Sequence, residues 1–458
     1  MRLLKQICLG LLLLSGGSLW SQVETTAATA SLSTLGPGSS DDPMKTPPPV
    51  SGQSYPTQIT SEERSNYLRG GLAFTTAYTD NALGSIGGSK PVSDVSYSVG
   101  PTLALDQTRS RLHFVLTYAP GFTFYQRTSS RNEQDQNVSF SLQYRLSPHV
   151  TFTAQDGFLK TSNVLNQQNV TLTEGVFGGA QQPNFSVIPP VANLLSNSGN
   201  VGINWQFAAN GMIGATGSFT NLHYPNPTEV PGLYDSNSQA GSAFYSFRFS
   251  KMHYIGATYQ YQRLIANPTF GQSETQTNAL LLFYTLYAAS KFSISFFGGP
   301  QYSDTIAPAE PLFLSQAPTI REWTPAAGAS LNWQGRRSNI ALSYSRVISS
   351  GGGLIGAVQI NGGTASFRQQ ITRFLGASMS GGYTENQVLA TALAAGNNGH
   401  SASGTASLQQ QLGPHISLQL AYTRLHQAYT NVAVLAAAPN TNRELISISY
   451  QFSRPLGR

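Results

Sequence analysis

Apolar and polar residues alternate with a period of two over most of this chain, from about residue 66 to residue 452. In 255–262 the alternation puts Ile255, Ala257, Tyr259 and Tyr261 on one face and Gly256, Thr258, Gln260 and Gln262 on the other, the pattern of a strand with one apolar side. Short connectors fall at 106–110, 146–149, 208–211, 249–252, 288–291, 334–339, 371–373 and 412–415. Long ones fall between them, at roughly 80–93, 126–136, 158–199, 221–238, 263–275, 303–321, 347–359, 384–400 and 426–442. Eight short and nine long connectors join eighteen strands, or sixteen if the Gly-rich stretches near 80–105 and 357–367 stay irregular. An even number returns both ends of the chain to one side.

A soluble sandwich alternates too, but its connectors do not keep so strict a short–long rhythm. Tight turns on one side and long loops on the other are what an antiparallel transmembrane β-barrel requires. The faces divide accordingly. Leu142, Phe152, Phe247, Phe249, Leu342, Leu418, Leu420 and Ile448 lie on lipid-facing stripes, with Tyr144, Tyr245, Tyr261, Tyr344, Tyr422 and Tyr450 as an aromatic girdle toward strand ends. The opposite stripes are polar and nearly uncharged. Gln143, Thr153, Gln155, Phe244, Arg248, Gln260, Ser343 and Gln419 are the residues expected to line the lumen. The segments 141–152 and 407–418 share the pattern Ser-Leu-Gln…Leu-x-Pro-His, as duplicated hairpins would.

Composition changes this picture little and supports it. Charged residues make up only 10% of the chain, replaced by Ser, Thr, Asn, Gln, Gly and Tyr. Arg2 and Lys5, the apolar run around 7–14 and the small residues up to Ser21 read as a signal peptide, 1–21, cleaved before Gln22. Cleavage removes Cys8, the one cysteine, and leaves 24 basic residues against 20 acids, a balance that gives no footprint for nucleic acid. Residues 22–64, rich in Ala, Thr, Ser and Pro, read as a disordered periplasmic tail, 65–453 as the barrel and 454–458 as a short extension.

Residues 66–452 resemble Gram-negative outer-membrane β-barrels of the porin-like size class. One local sign is the C-terminal run Leu445-Ile446-Ser447-Ile448-Ser449-Tyr450-Gln451-Phe452, which alternates and ends on an aromatic as the assembly signal of such proteins does. Ser447 stands where that signal usually has Gly, and the chain continues past Phe452. The resemblance implies outer-membrane lipid as solvent, and insertion by the barrel-assembly machinery with periplasmic chaperones, with Tyr450 and Phe452 as the signal.

Candidate chemistry is sparse. The seven histidines are scattered, and none has a carboxylate nearby in sequence at ligand or acid/base spacing. Asp156 beside His113 is the one pairing across strands that suggests itself. No enzyme activity, cofactor or metal is implied, and the glycines at 351–353 and 362–363 have no strand-to-helix unit that would make them a phosphate loop. Arg127, Arg263, Arg346 and Arg424 fall at the outer ends of strands, where they face lipid phosphates or water.

The third long connector, roughly forty residues from Phe158 to Asn200, carries most functional content. In general porins the third external loop folds into the barrel, and this connector is similar in rank and length. Lys160, Glu174, Phe185, Ile188, Pro189 and Pro190 are its constriction candidates, docking on lumen aromatics such as Phe244; an external lid or a protein-binding loop is the other reading. With only Lys160 and Glu174 charged, such a constriction selects by size and hydrogen bonding. The leading expectation is a passive channel for small neutral or weakly anionic solutes. A structural or adhesive barrel with a plugged lumen comes second. A polysaccharide export barrel comes third, without the basic lumen or helical repeats it would need.

Overall fold

The structure, a computed structural model, describes residues 44, 66–82, 91–163, 165, 187, 192–268, 271–289, 291–306, 319–354, 356–389, 398–430, 432 and 440–456. The strands are β1 (Asn66–Thr79), β2 (Asp94–Thr108), β3 (Leu112–Tyr118), β4 (Gly121–Tyr125), β5 (Glu133–Ser147), β6 (Val150–Thr161), β7 (Leu194–Ala208), β8 (Gly211–His223), β9 (Asp235–Arg248) and β10 (His253–Asn267). They continue as β11 (Ser273–Ala289), β12 (Phe292–Ile306), β13 (Thr319–Gln334), β14 (Ser338–Ser350), β15 (Ala357–Gln370), β16 (Leu375–Val388), β17 (Gly399–Gln411), β18 (Ile416–Tyr429) and β19 (Asn440–Pro455). β3 and β4 are one crossing broken at Ala119-Pro120, both pairing with β2 and β5, so the wall has eighteen crossings. Proline removes the ladder donor at that break.

Every other strand pairs with its sequence neighbours, antiparallel throughout, and β19 returns to β1 from Tyr67↔Pro455 to Thr79↔Arg443. The sheet therefore closes into a barrel, its ladder incomplete only between β13 and β14. At the closing pair the ring of Phe452 lies over Gly70, where an added Cβ would stand 2.3 Å from it.

All eight short connectors form the turns of one end, and the Gly-rich stretches near 80–105 and 357–367 do contain strands, β2 and β15. The first long connector, 80–93, is as expected, and the other eight are shorter than the sequence suggests. β6 runs to Thr161 and β7 begins at Leu194, so most of the difference is strand that continues beyond the lipid-spanning part of the wall. There the outward face meets water and no longer has to be apolar, so the alternation that marks a strand fades. β19 likewise reaches Pro455, beyond the boundary at 453.

One junction departs from the regular ladder. β13 and β14 pair only from Gln334↔Asn339 to Ala327↔Arg346, although β13 pairs with β12 as far as Thr319 and β14 with β15 as far as Ser350. Pro325, which has no N–H to offer, stands just above the last pair. Beyond that point the described residues of 348–360 are buried on both faces, and β14 and β15 come against β9 and β10 across the lumen. The hairpin tip is thus inside the barrel. The sequence marks 347–359 as an external loop because of its glycines; its apolar residues on both faces instead suit a segment with no solvent side.

Candidate functional site: the lumen and its two ends

Alternation along each strand sorts the wall into two surfaces. Outward, Trp323 and Trp333 mark the two ends of an apolar belt on β13, with Tyr302 packed at 5.1 Å against Trp323. Ten residues separate the two tryptophans, about 33 Å along a strand and about 25 Å along the membrane normal at the usual tilt of about 40°. Leu72, Phe74, Leu103, Phe124, Ile203, Leu282, Phe296, Leu342 and Ile446 lie exposed on the same surface, as do all six tyrosines assigned to the girdle. Tyr450 and Phe452 are part of this outer face. A band of that height, closed around eighteen crossings, has one solvent that fits it. The protein is an outer-membrane β-barrel of porin-like size.

Inward, the wall of this outer-membrane barrel is a lattice of hydroxyls. Nine directly opposed pairs bond across neighbouring strands at 2.5–3.1 Å: Thr75–Ser447, Ser98–Thr123, Thr216–Ser242, Thr275–Thr305, Thr285–Ser295, Ser343–Thr364, Ser378–Ser407, Thr405–Thr423 and Ser417–Ser449. Gln143, Thr153, Gln155, Phe244, Arg248, Gln260, Ser343 and Gln419 all occupy inward positions. Arg248 is held at the turn end by Asn210 Oδ1 at 3.1 Å and the Ala209 carbonyl at 2.8 Å. Charge in the lower lumen gathers where sequence spacing gave no sign of it. Asp106 on β2 lies 3.8 Å from Arg69 Nη2 and 3.3 Å from His113 Nε2. His113 therefore has Asp106 as its carboxylate, and not Asp156, which accepts from Asn197 at 3.4 Å; β3 and β6 are separated by β5, too far for the pairing suggested from sequence.

The loop end is filled. Leu222, Tyr224, Val230 and Leu233 from one side of the barrel pack with Leu354, Val358, Ile360, Val388, Leu425 and Tyr429 from the other, together with Val187, Ala192, Leu194 and Val432. Polar contacts fix the crossing. The Tyr224 hydroxyl donates to the Gly352 carbonyl at 3.2 Å and the Tyr234 N–H to that of Gly353 at 2.6 Å. Gly353 has φ +102°, and a Cβ there would stand 2.9 Å from the Tyr224 ring, so glycine is required twice over. Burial, with Asp235 nearby, pushes the Tyr224 phenol above its usual pKa, so it stays a neutral donor.

The third connector contributes at its two ends. Val187 and Ala192 join the apolar cluster, and the Leu165 carbonyl accepts from Arg443 Nη1, a buried guanidinium on β19. Lys160 belongs instead to the wall: it is a β6 residue exposed on the outward stripe of Phe158, because the strand outruns the expected loop boundary. Glu174, Phe185, Ile188, Pro189 and Pro190 lie outside the described residues. Phe244 is covered by another segment altogether. Met44 packs on Phe244, Met212 and Tyr254, with Tyr287 beside them, and its N–H donates to Gln206 Oε1 at 3.2 Å. A residue of the 22–64 segment therefore sits inside the turn-side mouth.

On the outside, near the loop end, His400 and His426 come within 5.5 Å of each other, with Tyr383 stacked on His400 at 5.9 Å. Their sequence separation gives no hint of this. Arg263 is engaged by Glu274 at 2.8 and 2.9 Å rather than presented free at the rim. Among the described residues there is no group of three or more His, Cys, Asp or Glu that could hold a metal ion.

No protein-family model and no curated protein matches the chain. Solved structures do resemble it. OccAB4 of Acinetobacter baumannii superposes over 86% of this chain and 100% of its own, with 8% identity and a TM-score of 0.40. OccK2 (OpdF) of Pseudomonas aeruginosa covers 85% of this chain and 98% of its own, with 11% identity and a TM-score of 0.40. OpdK of Pseudomonas aeruginosa, solved with vanillate, covers 84% and 99%, with 9% identity and a TM-score of 0.39.

Proposed function

We propose that the protein is a channel of the Gram-negative outer membrane for passive diffusion of small hydrophilic solutes, neutral or weakly anionic. The observation that carries this reading is the lower lumen: a hydroxyl and amide wall with few charges, Arg69, Asp106 and Arg248 among them. Eighteen crossings leave an aqueous bore wide enough for a small solute where nothing fills it. Paired hydroxyls offer hydrogen bonds without a transverse field, so selection is by size and polarity. The constriction is the loop-end cluster, to which the 158–199 connector brings Val187, Ala192 and Leu194. Lipid, the barrel-assembly machinery and periplasmic chaperones are the partners this reading entails, and no enzyme activity is part of it.

Single-channel conductance of refolded 22–458 in a planar bilayer tests it. Discrete steps with weak ion selectivity are expected, larger when 166–186 is replaced by a short Gly/Ser link. A second reading, a structural or adhesive barrel working through its outer loops, is favoured by the filled loop end and by Met44 in the turn-side mouth. A chain that inserts and migrates heat-modifiably, yet stays silent with and without 166–186, would establish that second reading.

A further inference from the structure

The outer rim of the barrel carries a pair of metal-ligating side chains that permeation does not use. In the β17–β18 ladder His400 lies opposite Ala428 and His426 opposite Ala402, so the two histidines are diagonal neighbours on one face. Diagonal neighbours have Cα atoms about 7–8 Å apart, within reach of two imidazoles turned toward each other. His426 shares the outward stripe of the exposed Tyr422 and stands four residues nearer the loops. His400 is two residues nearer the loops than Ala402, the ladder partner of the exposed Tyr383. Both rings are half-buried and stand beyond the tyrosines that mark the membrane interface, on the water side.

The spacing of the rings fits a shared ion. Their centroids are 5.5 Å apart, with the ring planes at 43°. A tetrahedral ion bonded to two imidazole nitrogens at about 2.0–2.1 Å holds the centroids about 5.2 Å apart, and a right-angled pair in an octahedral shell about 4.5 Å. The observed separation is that of the tetrahedral case, within a small rotation of either ring.

One tautomer is already selected. The Nδ1–H of His426 donates to Asn440 Oδ1 at 2.9 Å, an oxygen that can only accept, which leaves the Nε2 lone pair as the ligand atom. Metal-bound imidazoles regularly have an outer partner of this kind, which fixes ring and tautomer together. On the other side Tyr383 stacks on His400 at 5.9 Å and 28°, limiting its rotation. Glu385, opposite His400 in the next ladder, accepts instead from Asn361 Nδ2 at 3.3 Å, so the protein's donor set is the two imidazoles.

We propose that His400 and His426 form a surface site for a zinc-like divalent transition ion, held by the two imidazoles and otherwise by water. Hard cations such as Mg²⁺ and Ca²⁺ prefer oxygen ligands, so the donor set selects against them. A bound ion ties β17 to β18 at the outer rim. The site lies outside the lumen and stands whether or not the pore conducts.

Calorimetric titration of untagged, refolded 22–458 with Zn²⁺ in detergent tests it, with Mg²⁺ as the control ion. The expected result is uptake of one Zn²⁺ per chain, abolished by His400→Ala or His426→Ala. His223→Ala, at the rim pair with Asp235, should leave it unchanged. Asn440→Leu should weaken binding about tenfold, and Asn440→Asp, whose carboxylate also accepts from Nδ1, should restore it. X-ray absorption of the Zn²⁺-loaded native chain needs no variant to assemble, and should count two imidazoles at about 2.0 Å. No Zn²⁺ uptake, uptake retained in either alanine variant, Mg²⁺ binding as tightly, or a spectrum with fewer than two imidazoles would each overturn the proposal.

Discussion

The two halves of the lumen are built from the same strands and have opposite interiors. Toward the turns, Ser378–Ser407 and Ser417–Ser449 bond across the wall, and Gln419 on the same stripe is exposed to the bore. Toward the loops, chains from opposite walls meet in an apolar cluster with Leu354, Val358 and Val432 fully buried. The lower half shows how a barrel stays polar with few charges. The upper half shows that a barrel can acquire a core like that of a soluble domain, stabilised by apolar burial. On the channel reading proposed above, the loop end would govern permeation and the turn-side wall polarity.

The strongest way to break this contrast is to unseat the plug. Gly353→Val puts a side chain into a left-handed conformation and against the Tyr224 ring, a strain of about 1–3 kcal/mol. Conductance should rise several-fold, while barrel assembly, read by heat-modifiable migration, is unchanged. Tyr224→Phe removes only the bond to Gly352, at about 1 kcal/mol, and should increase open time without altering the step size. At the other mouth, Met44→Asp places a charge against Met212, Phe244 and Tyr254. Its smaller effect should appear as a modest rise in conductance and faster tryptic cleavage of the 22–64 segment in detergent. The smallest effect is expected from Ser378→Ala with Ser407→Ala, which removes one half-exposed opposed hydroxyl pair. Ion conductance should hold, and neutral-sugar permeation should fall by less than about twofold, since replacing both partners leaves no orphan.

How much of this could be read from sequence follows the same division. Wherever one face meets lipid and the other water, as in β10 with Ile255 and Tyr259 outward and Thr258 and Gln260 inward, the period of two is forced and the strand is plain. Where both faces meet protein, the constraint disappears. The tip of β14 and β15 therefore looks like a Gly-rich loop, and the 279–284 run of Ala, Leu, Phe and Tyr hides an inward patch within an outward stripe. That run is the one available sign: alternation fails there because Leu281 and Phe283 are buried in the lumen. Met44 gives no sign at all, because one apolar residue in a Pro-rich stretch has no pattern around it. The His400–His426 pair, the Asp106 cluster and the Arg443–Leu165 contact arise from register around a closed ring, which local spacing does not carry.

The closing pair also bears on biogenesis. β1 emerges near the start of the chain and β19 last, yet each supplies the other's only second neighbour, with Phe452 seated on Gly70 and Thr75 bonded to Ser447 372 positions away. Until β19 is in place, every partial sheet has two bare edges, and no truncated chain can hide them. The final strand is thus the quality check of the whole polypeptide. A chain that stops short of β19 leaves strand edges that lipid cannot satisfy. Gly70→Val, which would push the Phe452 ring aside, should stall full-length chains at that same step.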